Sequence, residues 1–369
     1  MKIVCSKQDL SNGVNIVLKA VPANTTMSIL NCILITAKDG YINFTATDGD
    51  LGIDTRVNGV IANEGIIAIE AKLFSEVVRK LPDMDVSIES DNNNVVKINC
   101  GKLKFEINGQ DGSTFTLLPD VEKENPIIIS QLTLKDVIRQ TIFSIGQSDT
   151  NKIMSGIHFL INGNVLKCSS LDGHRISIRN IELKDSYETS EAIVPGKALG
   201  EISKILSGGA EDDVCIYIKK NHICFTFDNT TVVSRLIEGK FFDVNKMISS
   251  DYETKISINK KELFESLDRT MLFSKEGNKK PVVVRIKDDI LKIEVNSPLG
   301  SMDEELEIKM TGREVNIGFN PRFLSDALRV IDDETIDMYL VNAKAPCYIK
   351  DENDSYIYLV LPINFTTVS

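Results

Sequence analysis

No apolar run in this chain approaches the ~18 residues that a membrane-spanning helix needs, and Met1-Lys2-Ile3-Val4 opens it without a signal-peptide core. A cytoplasmic protein with no membrane association is therefore expected. The seven cysteines are an odd number with no Cys-x-x-Cys pair, which points to reduced thiols. Only three histidines occur (His158, His174, His222), none in a His-x-x-x-His spacing, and there is no Gly-x-x-x-x-Gly-Lys-Ser/Thr phosphate loop. No metal or other cofactor is expected. Disorder and low-complexity classes are excluded by an ordinary composition, 42% hydrophobic and 26% charged. A length of 369 residues fits two or three domains, each able to bury a core. The net charge of -11 argues at first against a nucleic-acid partner.

What the chain does have is an internal repeat. Segments 29–49, 156–173 and 282–296 each alternate apolar and polar residues through two short strands. Each pair is split by a hairpin-type turn: Lys38-Asp39-Gly40, Asn162-Gly163-Asn164 and Lys287-Asp288-Asp289. A helical pattern precedes each hairpin (Gln8–Ala20, Leu132–Ile145, Lys260–Phe273), and in the last Leu263, Leu267 and Met271 recur at i, i+4, i+8. A second helix follows each (Ala71–Leu81, Pro195–Leu206, Asn320–Ile331), then more alternating strands. Proline suits the start of the last two, where its missing N–H costs nothing. The fold class is therefore α+β: three similar domains, each a doubled strand–helix–strands unit, with boundaries expected at 1–125, 126–250 and 251–369. Polar stretches at Glu122–Asn125 and Ser249-Ser250-Asp251 would mark the joints.

Location changes the meaning of the charge. Windows 7–20, 71–81, 132–145, 196–206, 259–272 and 320–331 hold fourteen Lys and Arg against eight Asp and Glu, a net +6. The remainder carries -17. On the first helix of each repeat the basic residues are Lys7 and Lys19; Lys135 and Arg139; and Lys260, Lys261 and Arg269. On the second they are Lys72, Arg79 and Lys80; Lys197 and Lys204; and Arg322 and Arg329. If the helices share one face, that face is positive and suits sequence-independent phosphate contact; solvated helix faces are the plainer alternative. Twelve such helices from two chains, each ~10 Å across, would line a circle of about 120 Å, wide enough for a duplex.

Several short signatures, together rather than singly, carry a family resemblance. They are Met1-Lys2-Ile3, Ser28-Ile29-Leu30, Thr47-Asp48-Gly49, Asp172-Gly173-His174-Arg175, Ile193-Val194-Pro195, Glu238-Gly239-Lys240-Phe241, Gly318-Phe319-Asn320 and Leu361-Pro362. With them the chain resembles the bacterial DNA polymerase III beta subunits, the replicative sliding clamps. The resemblance implies a head-to-tail homodimeric ring of six domains around double-stranded DNA, helices inside and sheets outside. It implies a clamp loader that opens the ring with ATP, and no catalysis by the ring itself.

The resemblance also assigns residues. Lys102 and Lys104 would meet Asp303, Glu304 and Glu305 across the dimer seam, opposite charges that register the contact. Met271, Leu272 and Phe273 would supply its apolar centre, or belong to ordinary core. A groove between the second and third repeats would bind the replicative polymerase, other polymerases and repair proteins through Gln-Leu-x-Leu-Phe-like peptides. The matching positions begin with Met154, Leu171, Gly173, His174, Arg175 and Ile176, then Phe242, Lys246 and Met247. They continue with Phe323, Lys344 and Pro346, and end with Val360, Leu361, Pro362 and Ile363. Methionine and aliphatic side chains suit leucine and phenylalanine anchors and adapt to varied partners; Val360–Ile363 could equally be a strand closing a sheet. Phe242 stands where the family usually has proline, and Asn364 and Phe365 where a basic residue and leucine are common. Asn24 replaces a frequent arginine. An insertion lies between Phe273 and Val282, and Thr366–Ser369 extends the usual end.

Asp172, His174 and Arg175 are the one grouping that resembles an active site. It lacks a nucleophile or metal partner, and its Asp-Gly aligns with the Asp48-Gly49 turn. A hydrolase or transferase dependent on His174, or a scaffold that binds only proteins, are the competing readings.

Overall fold

The computed structural model describes residues 1–147, 151–248, 251–273, 281–351, 353 and 355–365. The expected insertion (274–280), the terminal extension Thr366–Ser369 and the joint residues Ser249-Ser250 lie outside them.

The same local device starts the first helix of every repeat. Ser6, Ser130 and Asn259 cap α1 (Lys7–Val17), α3 (Gln131–Thr141) and α5 (Lys260–Met271) by accepting hydrogen bonds from the backbone N–H of Asp9 (3.0 Å), Thr133 (3.1 Å) and Lys261 (3.0 Å). Short polar side chains there satisfy N–H groups the helix itself leaves orphaned. The first residue of each helix then donates its own N–H to the loop that ends the second helix: Lys7 to Met84 O (3.2 Å), Gln131 to Asp212 O (2.7 Å), Lys260 to Glu334 O (2.9 Å). The second helices are α2 (Ala71–Lys80), α4 (Gly196–Ile205) and α6 (Pro321–Leu328). All six helices begin within a residue of the sequence expectation, apart from their last turns. The first-helix patterns finish as 3₁₀ turns at Leu18–Ala20 and Ile142–Ser144, and α6 ends three residues early, with Arg329 as its cap.

The chain divides into two compact units, Met1–Lys135 with Lys197–Leu236, and Asp136–Gly196 with Ile237–Ser369. In the first, thirteen strands form one sheet with antiparallel neighbours. Hairpin Asp39-Gly40 has φ of 52° and 81°, the left-handed pair a tight two-residue turn requires. In the second, a seven-stranded sheet runs from Gly156–Leu171 to Lys309–Gly312, and a four-stranded sheet from Gly300–Glu307 to Val315–Phe319. Leu263 and Leu267 of α5 and Leu324, Ala327 and Leu328 of α6 bury between these sheets with Ile256, Val284, Ile317 and Phe319. Met271, the third member of that periodic set, is only half-buried.

One pairing rule occurs in both units. In the first, strand Leu51–Val57, which follows the Asp48-Gly49 turn, pairs with the last strand of the next repeat, Thr230–Arg235; Gly52 faces Val233 and Thr55 faces Thr230. In the second, strand Arg175–Pro195 follows the Asp172-Gly173 turn and pairs with Tyr356–Val360; Ile176 faces Leu359 and Arg179 faces Tyr356. Even the exit bond is kept: Arg235 N–H donates to Asp50 O and Leu361 N–H to His174 O, both at 2.8 Å.

Candidate functional site

The turn at Asp172 builds one wall of a cavity in the second unit. One carboxylate oxygen of Asp172 accepts the N–H of His174 (3.0 Å) and of Arg175 (3.2 Å), and Gly173 takes φ 89° to close the loop. These bonds explain the Asp-Gly pairing structurally: an Asx turn followed by a left-handed residue. Arg175 is then drawn inward. Its Nε donates to the other Asp172 oxygen (2.9 Å), Nη1 to Asp326 (2.7 Å) and Nη2 to Phe143 O (2.6 Å), while the guanidinium stacks over Phe323 at 4.5 Å. Burial disfavours its charge, but Asp326, Tyr358 and Asp172 outweigh that and raise its pKa. His174 stays exposed, its ring 6.0 Å from Phe323. Asp172 and Arg175 are thus engaged in bonds that hold the turn, and the His174 ring lies outside them.

The cavity beside this turn encloses about 260 Å³ and its walls are overwhelmingly apolar. Leu171, Ile176 and Leu359 form its floor over a cluster containing Ile178, Ile193, Phe241 and Val244. Met154, Phe242, Met247, Pro346 and Leu361 surround the mouth. Phe242 meets Phe241 edge-on (5.9 Å), and Phe241 stacks on His158 (4.6 Å), whose Nε2 lies 3.0 Å from Glu191. Burial lowers the His158 pKa more than Glu191 raises it.

Ten of the sixteen sequence-assigned groove positions line this cavity: Met154, Leu171, Gly173, His174, Arg175, Ile176, Phe242, Met247, Pro346 and Leu361. Phe323 sits behind Arg175. Lys246 and Lys344 are exposed, and Pro362 and Ile363 lie half-buried past Leu361. Val360 is fully buried in the core instead. Successive strand residues face opposite ways, so Val360 points inward while Leu359, which sequence reasoning did not select, takes the groove side. Phe143 and Asp326, the partners that fix Arg175, were also missed; neither belongs to a short motif.

The fourteen helical basic residues fall into two groups. Lys72, Lys197 and Arg322 are each the second residue of their helix, and Arg79, Lys204 and Arg329 follow seven residues later. That spacing puts each pair on one helix face, and all six are exposed. Lys80 is exposed as well. Lys197 is tied to Asp48 (2.5 Å) and Lys204 to Glu201 (2.8 Å), while Arg329 lies 4.0 Å from Asp326. Lys72, Arg79 and Arg322 have no carboxylate partner among the described residues. Most first-helix residues serve the fold. Lys135 Nζ donates to Leu206 O (3.2 Å) and Lys260 Nζ to Ile331 O (2.7 Å), satisfying carbonyls past the ends of α4 and α6. Arg139 binds Asp332 (2.8 Å) and Val330 O (3.2 Å). Arg269 grips Glu304 with two nitrogens (2.5 and 3.0 Å). Lys7 and Lys19 are half-buried; Lys261 is exposed, 3.9 Å from Glu265.

Of the residues assigned to a seam, Lys102 and Lys104 are exposed around the turn into strand Leu103–Gln110. Asp303 lies 3.5 Å from Lys292, Glu304 is held by Arg269, and Glu305 is exposed. Leu272 is 74% exposed, a large apolar residue left uncovered, whereas Phe273 lies half-buried against Gly300.

Family models for the N-terminal, central and C-terminal domains of the DNA polymerase III beta subunit match residues 1–119, 128–243 and 245–364. The chain belongs to the DNA polymerase III beta subunit family. It is 32% identical over 374 residues to a beta sliding clamp of Staphylococcus aureus, covering 98% of this chain and 99% of that one. Among solved structures, a putative DNA polymerase III beta subunit of Eubacterium rectale is 55% identical with a TM-score of 0.96. The DNA polymerase sliding clamp of Bacillus subtilis is 34% identical, also at 0.96. Each comparison covers 99% of this chain and 100% of the other. The beta subunit is thus a three-domain sliding clamp of DNA replication, and its strand–helix–strands repeats are those of the clamp fold. No helix among its described residues is long and apolar enough to cross a membrane.

Proposed function

We propose that two copies of this clamp close head-to-tail into a ring around duplex DNA. The ring tethers polymerases and repair proteins in the cytoplasm through the apolar groove and catalyses nothing itself. The pairing rule carries this reading. Twice within the chain, the strand after the turn pairs with the last strand of the following repeat. The third such strand, Gly300–Glu307, is a sheet edge among the described residues, and the last strand of the first repeat, Leu103–Gln110, has its second edge largely unpaired. An unpaired edge of each kind on one chain is satisfied by a second copy, and a second such junction closes the ring.

The internal register also supplies the external one. Gly300 pairs with Ser297 as Gly52 does with Thr47 and Ile176 with Leu171. Leu103 follows its hairpin as Thr230 follows its own. The same offset sets Leu103 opposite Asp303 of the second copy, Lys102 opposite Glu304 and Lys104 opposite Met302. Leu272 stands thirteen residues past its helix cap, as Phe143 does, and Phe143 packs on Tyr358 (ring centroids 5.8 Å). Its exposure is what an unfilled seam leaves. Domain limits at 1–125, 126–250 and 251–369 follow from the same repeat.

DNA is held loosely by the paired basic positions on α2, α4 and α6, which supply a salt-sensitive, sequence-independent attraction. A loader opens the ring with ATP, and partner peptides of Gln-Leu-x-Leu-Phe type place leucine and phenylalanine in the cavity. The test is mass by light scattering, with oxidation of a Leu103→Cys, Asp303→Cys chain. A two-chain mass and covalent dimers support the ring; a one-chain mass at micromolar concentration, or cross-linking only in a shifted Leu103→Cys, Glu305→Cys pair, overturns the proposed junction.

A further inference from the structure

The segment Leu361–Phe365 continues past the last strand with no ladder of its own, yet Leu361 forms part of the groove mouth. It is held at two points. Leu361 N–H donates to His174 O, and Ile363 N–H donates to Gly318 O, each at 2.8 Å. The second point lies on strand Val315–Phe319, which leads through Asn320, the cap of α6, to Phe323 behind Arg175. Gly318 is required by the close approach. A Cβ there would stand 2.6 Å from Ile363 O and 2.8 Å from the ring of Phe365. The ring thus lies directly on the glycine backbone, with Pro281 beside it.

We infer that Phe365 seated on Gly318 is a clasp that positions the groove rim for partner peptides, resting on the groove reading above. Phe365 does not line the cavity. It acts through the backbone of Leu361–Ile363, whose two hydrogen bonds are the ties of a segment that has no strand ladder to hold it. The Gly318-Phe319-Asn320 signature acquires a purpose in each member: a bare seat, a fully buried core ring and a helix cap.

The test uses the full chain and a fluorescein-labelled peptide ending Gln-Leu-Ser-Leu-Phe, with amide hydrogen exchange read in parallel. Phe365→Ala is expected to weaken binding about three- to tenfold and to speed exchange at Ile363, while amides of Val282–Lys287 keep their protection. Phe365→Leu should restore most of both. Gly318→Ala should weaken binding at least as much, because its Cβ displaces the segment. Wild-type chain that fails to bind the peptide sinks the groove reading, and the clasp's role in binding with it. Wild-type binding that Phe365→Ala leaves unchanged, with or without faster exchange at Ile363, overturns the clasp alone.

Discussion

The two internal junctions share a backbone and differ in what they present. In the second unit the paired positions are Ile176 and Leu359, with His174 and Leu361 joined at the exit. In the first they are Gly52 and Val233, with Asp50 and Arg235 joined by the same 2.8 Å bond. Gly52 has no side chain to offer. Leu118 from the connecting segment lies over it, so close that a Cβ there would meet Leu118 Cδ2 at 2.0 Å. The hollow in the first unit lies along the linker Leu117–Val121 and encloses about 340 Å³, with Thr45, Asp54, Lys123 and Thr231 among its walls. Asp54 accepts hydrogen bonds from Asn43 (2.9 Å) and Thr45 (2.6 Å), and burial raises its pKa. Duplicated strands therefore reproduce a junction, and a few side-chain exchanges decide whether its cavity is apolar or lined with polar and charged groups.

The exchange of Leu361 for Arg235 is the sharpest part of that comparison. Leu361→Ala with Pro362→Ala removes the apolar mouth of one junction, a loss of about 2 kcal/mol, or roughly thirtyfold in peptide affinity by fluorescence titration. The matching change in the first unit, Arg235→Ala, should leave peptide affinity untouched. Equal losses from both would mean that the peptide does not distinguish the junctions.

Filling the glycine is the next largest effect. Gly52→Val drives a side chain into Leu118 and should cost the first unit about 1–3 kcal/mol, as overpacking does, read by urea unfolding. The double variant with Leu118→Ala should recover part of that loss, since the two sites share one contact. No recovery would mean the glycine answers to backbone constraints instead.

The paired basic positions differ between the units in the same way. Lys197 is tied to Asp48 in the first unit. In the second, Asp172 accepts Arg175, and Arg322 has no carboxylate partner among the described residues. Arg322→Ala should therefore flatten the dependence of DNA retention on salt by about one unit of slope, and Lys197→Ala by less. Identical slopes would show that the ion pair to Asp48 opens freely when phosphate arrives.

Much of this was legible in the residues. The repeat, the helix starts and two of the hairpin turns, Asp39-Gly40 and Asp288-Asp289, follow from capping chemistry and periodicity, which act locally. Asn162-Gly163-Asn164, expected as a third turn, instead lies within strand Gly156–Leu171, where the pairing register shifts around Gly163. The turn Leu171–Ile176 was found as a block because its residues are contiguous. What could not be read depends on register and on distant partners. Whether Val360 or Leu359 faces the groove is a matter of strand phase, set only when the strand pairs with Arg175–Arg179. Arg139, Lys135, Lys260 and Arg269 look like solvated helix charges in sequence, yet each is drawn to a carbonyl or carboxylate lying 35 to 193 residues away. Charge counted along a helix overstates the charge left free at its surface.

The smallest expected effect concerns proton linkage at the floor of the groove. His158 lies beneath Phe241 with Glu191 at 3.0 Å, and burial holds its pKa below the ordinary histidine value despite that carboxylate. The folded state therefore binds the proton less readily than the unfolded chain. Above about pH 6.5 both states hold neutral imidazole and the site is neutral to stability. As pH falls below that value the unfolded chain gains protons first, so stability declines until the folded pKa is passed. Unfolding midpoints of wild-type and His158→Gln chains, taken between pH 7.5 and 5, should show a decline that is shallower in the variant. A decline of equal depth in both would place the acid sensitivity elsewhere, and an increase in wild-type stability on acidification would mean that Glu191 outweighs burial and that the imidazolium is the favoured form.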